Sequence, residues 1–264
     1  MGVLNITPDS FSDGGRHNTV VTALARAREM IDEGAAIIDV GGESTRPGAQ
    51  PVSEQQELDR VLPVIERLRG ESAVLISIDS MKPAVTSAAV MTGADLINDV
   101  NALRAPGALE SANQSGAAVC LMHMQGEPRS MQQNPRYADV LAEVRGFLTE
   151  RIRACERAGI GRDRIVIDPG FGFGKTLEHN LALLGNLTEL TSLACPLMVG
   201  VSRKSMFQSL LGLALDQRLH AGIAAAALAV FQGAAIIRTH DVKPTLQAIK
   251  TAAAVRRAQN KGKQ

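Results

Sequence analysis

Polar side chains stand at or just past the ends of eight short aliphatic runs that are spread along the whole chain. The runs lie at 2–6, 36–40, 74–79, 95–99, 117–123, 164–168, 196–200 and 235–238. The polar residues at their ends are Asn5, Asp39, Asp79, Asn98, His123, Asp168, Ser202 and Arg238. A single Asp after a strand is often only a turn or helix cap. Eight polar groups at equivalent positions instead favour one shared site.

The acidic and basic members of this site suit different parts of a ligand. Asp39, Asp79 and Asp168 follow separate runs, and an ionised carboxylate accepts two parallel hydrogen bonds from a nitrogen heterocycle. The basic residues in the adjoining loops are Arg46, Arg203, Lys204, Arg238 and His240. Basic groups favour an anion such as pyrophosphate. The pattern predicts a ligand with a polar ring at one end and phosphates at the other.

The stretch IIRTHD, residues 236–241, combines several features of an anion site. Arg238 and His240 are two residues apart on an extended backbone and therefore project the same way. Asp241 and Pro244 predict that a helix starts immediately afterwards. A helix N-terminus beside two such side chains suits a phosphate or pyrophosphate. Taken alone, the stretch equally fits a strand edge with a solvated Arg and a hydrogen-bonded His.

Three glycine-rich loops follow runs of this kind, at 5–15, 41–48 and 169–176. Loops of this composition over an active site are expected to act as lids that order on a substrate, although ordinary turns are the alternative. The third loop contains GFGFGKT, which resembles a nucleotide-binding loop. That motif needs a glycine where this chain has Pro169, so nucleoside-triphosphatase activity is not predicted.

Helical periodicity separates the aliphatic runs and predicts the elements that position these residues. The predicted helices cover about 19–33, 53–70, a segment opened by Pro83, a short segment from about 106, about 137–158, about 178–190, segments up to 232, and about 242–257. Runs that are apolar throughout are typical of parallel strands covered by helices. Eight such units in about 250 residues match a closed (β/α)8 barrel, with an open doubly wound sheet as the alternative. We predict one domain over residues 1–264, with a frayed tail from about residue 258.

Composition excludes several other classes of protein. The 264 residues carry a net charge of +1, no Trp and one Tyr, so nucleic acid is not an expected partner. Neither a signal peptide nor an apolar run long enough to cross a bilayer is visible. Cys120, Cys155 and Cys195 are far apart and form no CxxC pair, which indicates reduced thiols of a cytoplasmic protein.

The histidines predict no transition-metal site. His123 and Cys120 are three apart on a strand, so they point to opposite faces and do not share a zinc ion. A hard cation held mainly by phosphate oxygens and water, with one protein oxygen such as that of Asn5, stays open.

Eight of these segments, in order, resemble the bacterial dihydropteroate synthase family. The matching segments are NITPDSFSDGG (5–15), DVGGESTRPGA (39–49), ISIDS (76–80), NDV (98–100), LMHMQG (121–126), DPGFGFGK (168–175), VGVSRKS (199–205) and IIRTHD (236–241). The resemblance implies a (β/α)8 barrel that condenses 6-hydroxymethyl-7,8-dihydropterin diphosphate with p-aminobenzoate. The products are 7,8-dihydropteroate and pyrophosphate, in folate biosynthesis. It also implies Mg²⁺, a homodimer, and inhibition by sulfonamides.

The resemblance further implies a role for individual residues. Pterin binding is expected for Asp79, Asn98, Asp168 and Lys204. Diphosphate binding is expected for Asn5, Thr45, Arg46, Arg238 and His240, with Asn5 also on the magnesium ion. The p-aminobenzoate pocket is expected to include Pro47, Phe173, Ser202 and Lys204. Catalytic roles are expected for Asp39, Asp168, Lys204, Arg238 and His240.

Three departures from the family pattern accompany the resemblance. Family members usually carry a leading segment that covers the barrel floor, whereas this sequence begins at its first strand. Ser80 and Met81 stand where threonine and another small polar residue are common, and Thr239 stands where valine is common. A pterin-dependent methyltransferase and a non-catalytic pterin-binding barrel are the alternative functions. The methyltransferase has no use for Lys204 or for the pair Arg238 and His240. A non-catalytic barrel would be expected to lose Asn5, Arg46 or Lys204, all of which are present.

Overall fold

Strands and helices alternate along the chain in a computed structural model that describes residues 1–6, 16–44, 50–128 and 130–261. The strands are β1 Gly2–Asn5, β2 Ile37–Gly41, β3 Leu75–Asp79, β4 Leu96–Asp99, β5 Ala118–Met122, β6 Ile165–Asp168, β7 Met198–Val199 and β8 Ile236–Ile237. The helices are α1 Arg16–Asp32, α2 Glu54–Glu71, α3 Pro83–Thr92, α4 Ala108–Ser115, α5 Val140–Arg157, α6 Leu177–Gly185, α7 Leu187–Thr191, α8 Met206–Leu211, α9 Leu219–Phe231 and α10 Val242–Lys261.

All strand pairs are parallel, and they run in sequence order. Strands β1 to β6 form one continuous sheet, and β7 pairs with β8. Single parallel bridges join the two sheets on both sides, at Ile167 with Leu197 and at Gly2 with Thr239. The second junction includes a hydrogen bond of 3.0 Å from the backbone N–H of Val3 to the carbonyl of Thr239. The predicted (β/α)8 barrel is confirmed.

Apolar residues fill the barrel below its mouth and leave the strand ends to polar groups. Leu96, Cys120, Val166 and Met198, on four strands, form one buried cluster. Asn98 and Asp168 each lie two residues further along, so their side chains point to the same interior face but nearer the C-terminal ends. The opposite strand faces pack against the helices in a second, larger core. The site is therefore confined to the mouth.

Local signals set several helix starts. The Ser53 side chain accepts a hydrogen bond from the backbone of Gln56, whose side chain accepts one from Ser53, which confirms the capping box predicted for α2. Pro83 stands in the first turn of α3, as predicted. The predicted start of α5 at Tyr137 was wrong, because Asp139 caps the helix by accepting from the backbone N–H groups of Leu141 and Ala142.

Two other helix predictions need correction. The segment predicted as one helix over 178–190 is two helices that meet at Asn186. The Asn186 side chain donates to the carbonyl of Ala182, a local bond with which Asn competes against regular helix. Helix α10 continues to Lys261, beyond the predicted end at Arg257, so the chain is still helical where fraying was expected. Basic residues near a helix C-terminus favour such an extension.

Among the described residues, no helix combines the length and apolar character needed to cross a membrane.

Candidate functional site at the barrel mouth

Four strand-end residues lie side by side in the sheet register. Asn5 pairs with Gly41, Gly41 with Asp79, and Asp79 with Asn98. A Cβ atom on Gly41 would lie 3.6 Å from Oδ1 of Asn5 and 3.5 Å from Cβ of Asp79. The missing side chain at Gly41 therefore leaves space between two polar groups that the register brings together.

Arg238 crosses the mouth from β8 and pairs with carboxylates on two other strands. Its Nε lies 2.6 Å from Oδ2 of Asp39, and its Nη2 lies 2.6 Å from Oδ2 of Asp79. Asp39 also accepts a hydrogen bond of 3.2 Å from Nδ2 of Asn98. The sequence analysis assigned Arg238 to an anion and the carboxylates to a ring, so this direct pairing was not predicted.

Burial sets the ionisation of this cluster. Burial raises the pKa of Asp79 to about 7, while the neighbouring Arg238 guanidinium acts in the opposite direction. The pKa of Arg238 lies above its ordinary value because the attraction of Asp39 and Asp79 outweighs desolvation. Burial also raises the pKa of Asp168. The carboxylates are thus held in a site of low polarity where a proton or a hydrogen-bond donor binds readily.

A cavity opens beside the cluster. It is lined by Asp79, Asn98, Val100, Met122, Asp168, Gly170, Phe171, Phe173, Gly200, Lys204 and Arg238. Apolar walls with a few convergent polar groups suit a flat heterocycle. All four residues expected to bind a pterin line this cavity.

The turn at 169–175 closes one wall of the cavity. Gly170, Gly172 and Gly174 have φ angles of +70°, +78° and +63°, which side chains disfavour. The backbone N–H of Gly170 donates to Oδ1 of Asp168 over 2.7 Å. The ring of Phe173 lies 4.3 Å from Nζ of Lys204, in cation–π contact. Two residues expected in the p-aminobenzoate pocket are therefore in contact.

The same turn, which the sequence predicts to be a third lid, is held here by hydrogen bonds to its backbone carbonyls. Lys175, which is 3% exposed, donates to the carbonyls of Gly170 and Phe173. The side chains of Gln132 and Tyr137 donate to the carbonyls of Gly172 and Gly174. Hydrogen bonds to four carbonyls of the turn, at 170, 172, 173 and 174, hold it in place. The first two predicted lids lie largely at 7–15 and 45–49, outside the described residues.

His240 and Ser202 form a second polar group at the rim. The Ser202 hydroxyl lies 3.1 Å from Nδ1 of His240 and accepts from the backbone N–H of His240 over 3.2 Å. Arg203, whose φ is +58°, pairs with Asp241 at the start of α10 over 2.5 Å. Ser202 was expected in the p-aminobenzoate pocket, whereas the structure places it beside the expected diphosphate residue His240.

The stem of the second loop contains a charged cluster that the sequence analysis missed. Lys82 Nζ lies 2.6 Å from Oε2 of Glu57, 2.7 Å from Oε2 of Glu43 and 2.9 Å from the carbonyl of Val52. Glu57 is fully buried. The sequence carried a signal, since Glu57 lies four residues before Val61 on the buried face of α2. Thr45, Arg46 and Pro47 lie outside the described residues.

A protein-only metal centre is not present among the described residues, which contain no group of three or more His, Cys, Asp or Glu suited to a metal ion. Asn5 stands at the end of β1 beside Gly41, where its amide oxygen faces the mouth. One such oxygen fits a hard cation that takes its other ligands from phosphate and water.

Asp79→Asn should change how stability depends on pH. The folded protein keeps Asp79 protonated up to a pKa of about 7, whereas an unfolded Asp releases its proton near a pKa of about 3.9. The folded state therefore holds more protons between these values, and this group makes stability fall as pH rises through the window. The free energy of unfolding of the variant, minus that of the wild type, should rise by up to about 1.4 kcal/mol per pH unit.

Urea unfolding at about pH 4, 5, 6, 7 and 8 measures this difference. Asp216→Asn, at an exposed position, is the control and should leave the pH dependence as it is. A constant difference between Asp79→Asn and the wild type across the window would contradict the raised pKa of Asp79.

Comparison with known proteins agrees with this geometry. Residues 1–240 match the family described as pterin binding enzyme. The chain is 52% identical over 250 residues to dihydropteroate synthase of Escherichia coli strain K12, covering 95% of this chain and 89% of that protein.

Solved structures give the same result. The Yersinia pestis dihydropteroate synthase, determined with a sulfonamide drug complex, has a TM-score of 0.92 and 51% identity, covering 97% of this chain and 93% of that one. Xanthomonas albilineans dihydropteroate synthase with 4-aminobenzoic acid has a TM-score of 0.91 and 49% identity, covering 97% and 92% of the two chains. With the family matched over most of its length, the chain belongs to the pterin-binding enzymes.

Proposed function

We propose that the protein is a dihydropteroate synthase. It joins the methylene carbon of 6-hydroxymethyl-7,8-dihydropterin diphosphate to the amine of p-aminobenzoate, and it releases pyrophosphate. The observation that carries the proposal is the cavity lined by Asp79, Asn98, Asp168 and Lys204, in a chain that is 52% identical over 250 residues to a curated synthase.

The pterin ring binds in the cavity through the strand-end polar groups. Asp79 and Asp168 accept hydrogen bonds from the amino and N–H groups of the ring. Asn98 both donates and accepts, and Lys204 donates from the turn side. Because Asp79 and Asp168 are buried, each hydrogen bond to the ring forms in surroundings of low polarity, where it discriminates strongly between ligands.

Arg238 links ring binding to departure of the pyrophosphate. In the structure Arg238 is held by Asp39 and Asp79. A ring that donates to Asp79 takes over one of these partners, which leaves guanidinium N–H groups for the diphosphate. The His240 imidazole and the N-terminus of α10 add hydrogen-bond donors for an anion at the rim. These groups stabilise the negative charge that develops on the leaving pyrophosphate.

The second loop and Asn5 complete the diphosphate site. Thr45 and Arg46 contact the diphosphate, and the amide oxygen of Asn5 is the protein ligand of Mg²⁺. When bound, Mg²⁺ would neutralise part of the negative charge on the diphosphate. The supporting observations are the position of Asn5 at the mouth and the ion pairs that anchor the loop stem on Lys82.

The arylamine enters beside Phe173 and Lys204, and Pro47 and Ser202 complete its pocket. As the bond between the methylene carbon and the diphosphate oxygen breaks, positive charge develops on that carbon, and Asp39 and Asp168 favour it. The amine attacks this carbon and loses a proton as the new C–N bond forms. Proximity and charge stabilisation account for catalysis without a covalent enzyme intermediate. Sulfonamides compete for the same pocket.

The proposal includes a homodimer. Exposed apolar side chains occur on neighbouring late helices, at Leu181, Leu210, Leu211, Leu228, Phe231 and Val255. Clustered apolar exposure of this kind favours burial against a second copy of the chain.

A cytoplasmic location is also proposed, and its support is that Cys120, Cys155 and Cys195 are buried and unbridged.

The synthase assay tests the function directly. Purified protein with Mg²⁺, the pterin diphosphate and p-aminobenzoate should release pyrophosphate and form 7,8-dihydropteroate in equal amounts. Lys204→Ala is the negative control, since it removes the ammonium between the two proposed substrates. Turnover of the wild type that does not exceed this control would reject the proposal.

Arg238→Ala should lower kcat by much more than tenfold, because it removes the cation that faces the leaving group. Each factor of ten corresponds to about 1.4 kcal/mol of transition-state stabilisation. Arg238→Lys keeps the charge without the two-pronged geometry and should retain more activity than Arg238→Ala. Circular dichroism confirms that both variants are folded. A loss of less than twofold in Arg238→Ala would remove Arg238 from the catalytic groups.

The double variant Leu228→Asp/Phe231→Asp should convert a dimer into a monomer in sedimentation velocity, because it introduces four desolvated charges across a symmetric interface. Met91→Asp, at an exposed apolar position on α3, is the matched control and should remain dimeric. A monomeric wild type, or a double variant that is still dimeric, would contradict this interface.

A further inference from the structure

Lys175 is a buried cation that the proposed chemistry does not use. Its side chain is 3% exposed, and it points away from the cavity lining into the turn at 169–175. Nζ lies 2.9 Å from the carbonyl oxygen of Gly170, 2.9 Å from that of Phe173 and 3.0 Å from Nδ1 of His123. The Asp168 carboxylate attracts Lys175, but the hydrogen-bond partners of Nζ are all neutral. Burying a charge with neutral hydrogen-bond partners is costly.

Three acceptors match the three N–H donors of an ammonium group. A neutral amine would direct its lone pair at one of the three. Burial lowers the pKa of Lys175 to about 7 and the pKa of His123 to about 3. His123 is therefore the neutral imidazole with its proton on Nε2, since Nδ1 accepts from Lys175. The group formed by Lys175, His123 and the two carbonyls is complete as a hydrogen-bonding unit.

This unit determines where the turn holds Phe173. Gly170 and Gly174 pack against the segment after β5 so closely that a Cβ atom would lie 1.9 Å from the carbonyl of His123 and 2.4 Å from that of Gln125. Residues without side chains let the turn approach, but they leave its backbone free to adopt many conformations. Lys175 restricts the turn by binding its carbonyls at two points, one of which belongs to Phe173 itself.

Phe173 in turn contacts Lys204. The Phe173 ring lies 4.3 Å from Nζ of Lys204. A Cβ atom on Gly172 would lie 3.2 Å from Cδ of Lys204, so the lysine stem runs along the same turn. Any displacement of the turn therefore moves both groups that line the arylamine side of the cavity. Asp168, on the pterin side, is held by β6 and by the backbone N–H of Gly170.

We propose that Lys175, together with His123, is a positioning residue that orders the turn at 169–175 and so sets the affinity for the arylamine substrate. This inference rests on the proposed synthase function. It assigns no contact between Lys175 and either substrate. A buried ammonium is kept because the carbonyls it binds have to stay in place while the aryl ring binds and leaves.

The decisive variant is Lys175→Met, which keeps the length and the apolar stem and removes the charge. The KM for p-aminobenzoate should rise at least tenfold, and several times more than the KM for the pterin diphosphate, which meets the turn only through Lys204 and Asp168. The value of kcat at saturating substrates should fall by less than threefold. The thermal midpoint should fall, because the buried carbonyls of Gly170 and Phe173 and Nδ1 of His123 lose their donor. Lys250→Met, at an exposed position on α10, is the control for loss of a lysine.

His123 separates positioning from general stability. His123→Asn retains a polar atom near Nδ1 and should keep the KM for p-aminobenzoate within threefold of the wild type, whereas His123→Leu should raise it as Lys175→Met does. A KM for p-aminobenzoate within twofold of the wild type in Lys175→Met would overturn the inference. So would equal changes in both KM values, which is the result for a purely structural lysine. Turnover by the wild-type protein tests the synthase function separately.

Discussion

A guanidinium and two carboxylates from three strands meet at the mouth of this barrel, and the rest of the site is arranged around them. Arg238 reaches from β8 to Asp39 on β2 and Asp79 on β3, at 2.6 Å from each. Two buried carboxylates without a cation would repel each other and lose their hydration, so the pairing makes a polar barrel mouth tolerable. Because one of these carboxylates has a raised pKa, the balance between ion pairing and burial is close. A ligand with hydrogen-bond donors can therefore exchange with the arginine.

Parallel strand register converts distant sequence positions into neighbours. Asn5, Gly41, Asp79 and Asn98 occupy one continuous row of paired residues. Leu96, two residues before Asn98, joins Cys120, Val166 and Met198 in the apolar cluster that fills the barrel below the mouth. A filled core lies below this row and polar strand ends lie at the mouth, so one place remains for a small ligand. Glycines at the mouth keep that place open. Gly41 and Gly200 occur where a side chain would approach Asp79 and Arg238.

Two lysines outside the reaction centre hold the walls of the site by different means. Lys82 joins Glu43 and Glu57 at the stem of the second loop, a charge-balanced cluster with one fully buried carboxylate. Lys175 binds uncharged acceptors inside the turn at 169–175. The first arrangement gains mainly from Coulomb attraction, and the second gains mainly from hydrogen bonds of a charged donor. Lys175 thereby holds a turn with three glycines in one conformation, which its backbone alone does not achieve.

The barrel, and the position of several polar side chains at its mouth, were determined by the sequence alone. Apolar runs followed by Asp39, Asp79, Asn98 and Asp168 place these residues at one end of a parallel barrel, because parallel strands all finish on the same side. Capping by Ser53 and the start of α3 at Pro83 were also readable, since both depend on residues a few positions apart. Helix caps of this kind depend on neighbouring residues, so they can be recognised in a short stretch of sequence.

Only the tertiary structure decided which charges pair. Arg238 is 199 residues from Asp39, and nothing in its local sequence distinguishes a guanidinium that binds an anion from one that binds carboxylates. The burial of Lys175 likewise depends on His123, 52 residues earlier. Side-chain pairing across a barrel follows from three-dimensional distance and desolvation, neither of which a linear pattern contains. Residue types therefore specify which groups reach the mouth, and packing specifies what each of them does there.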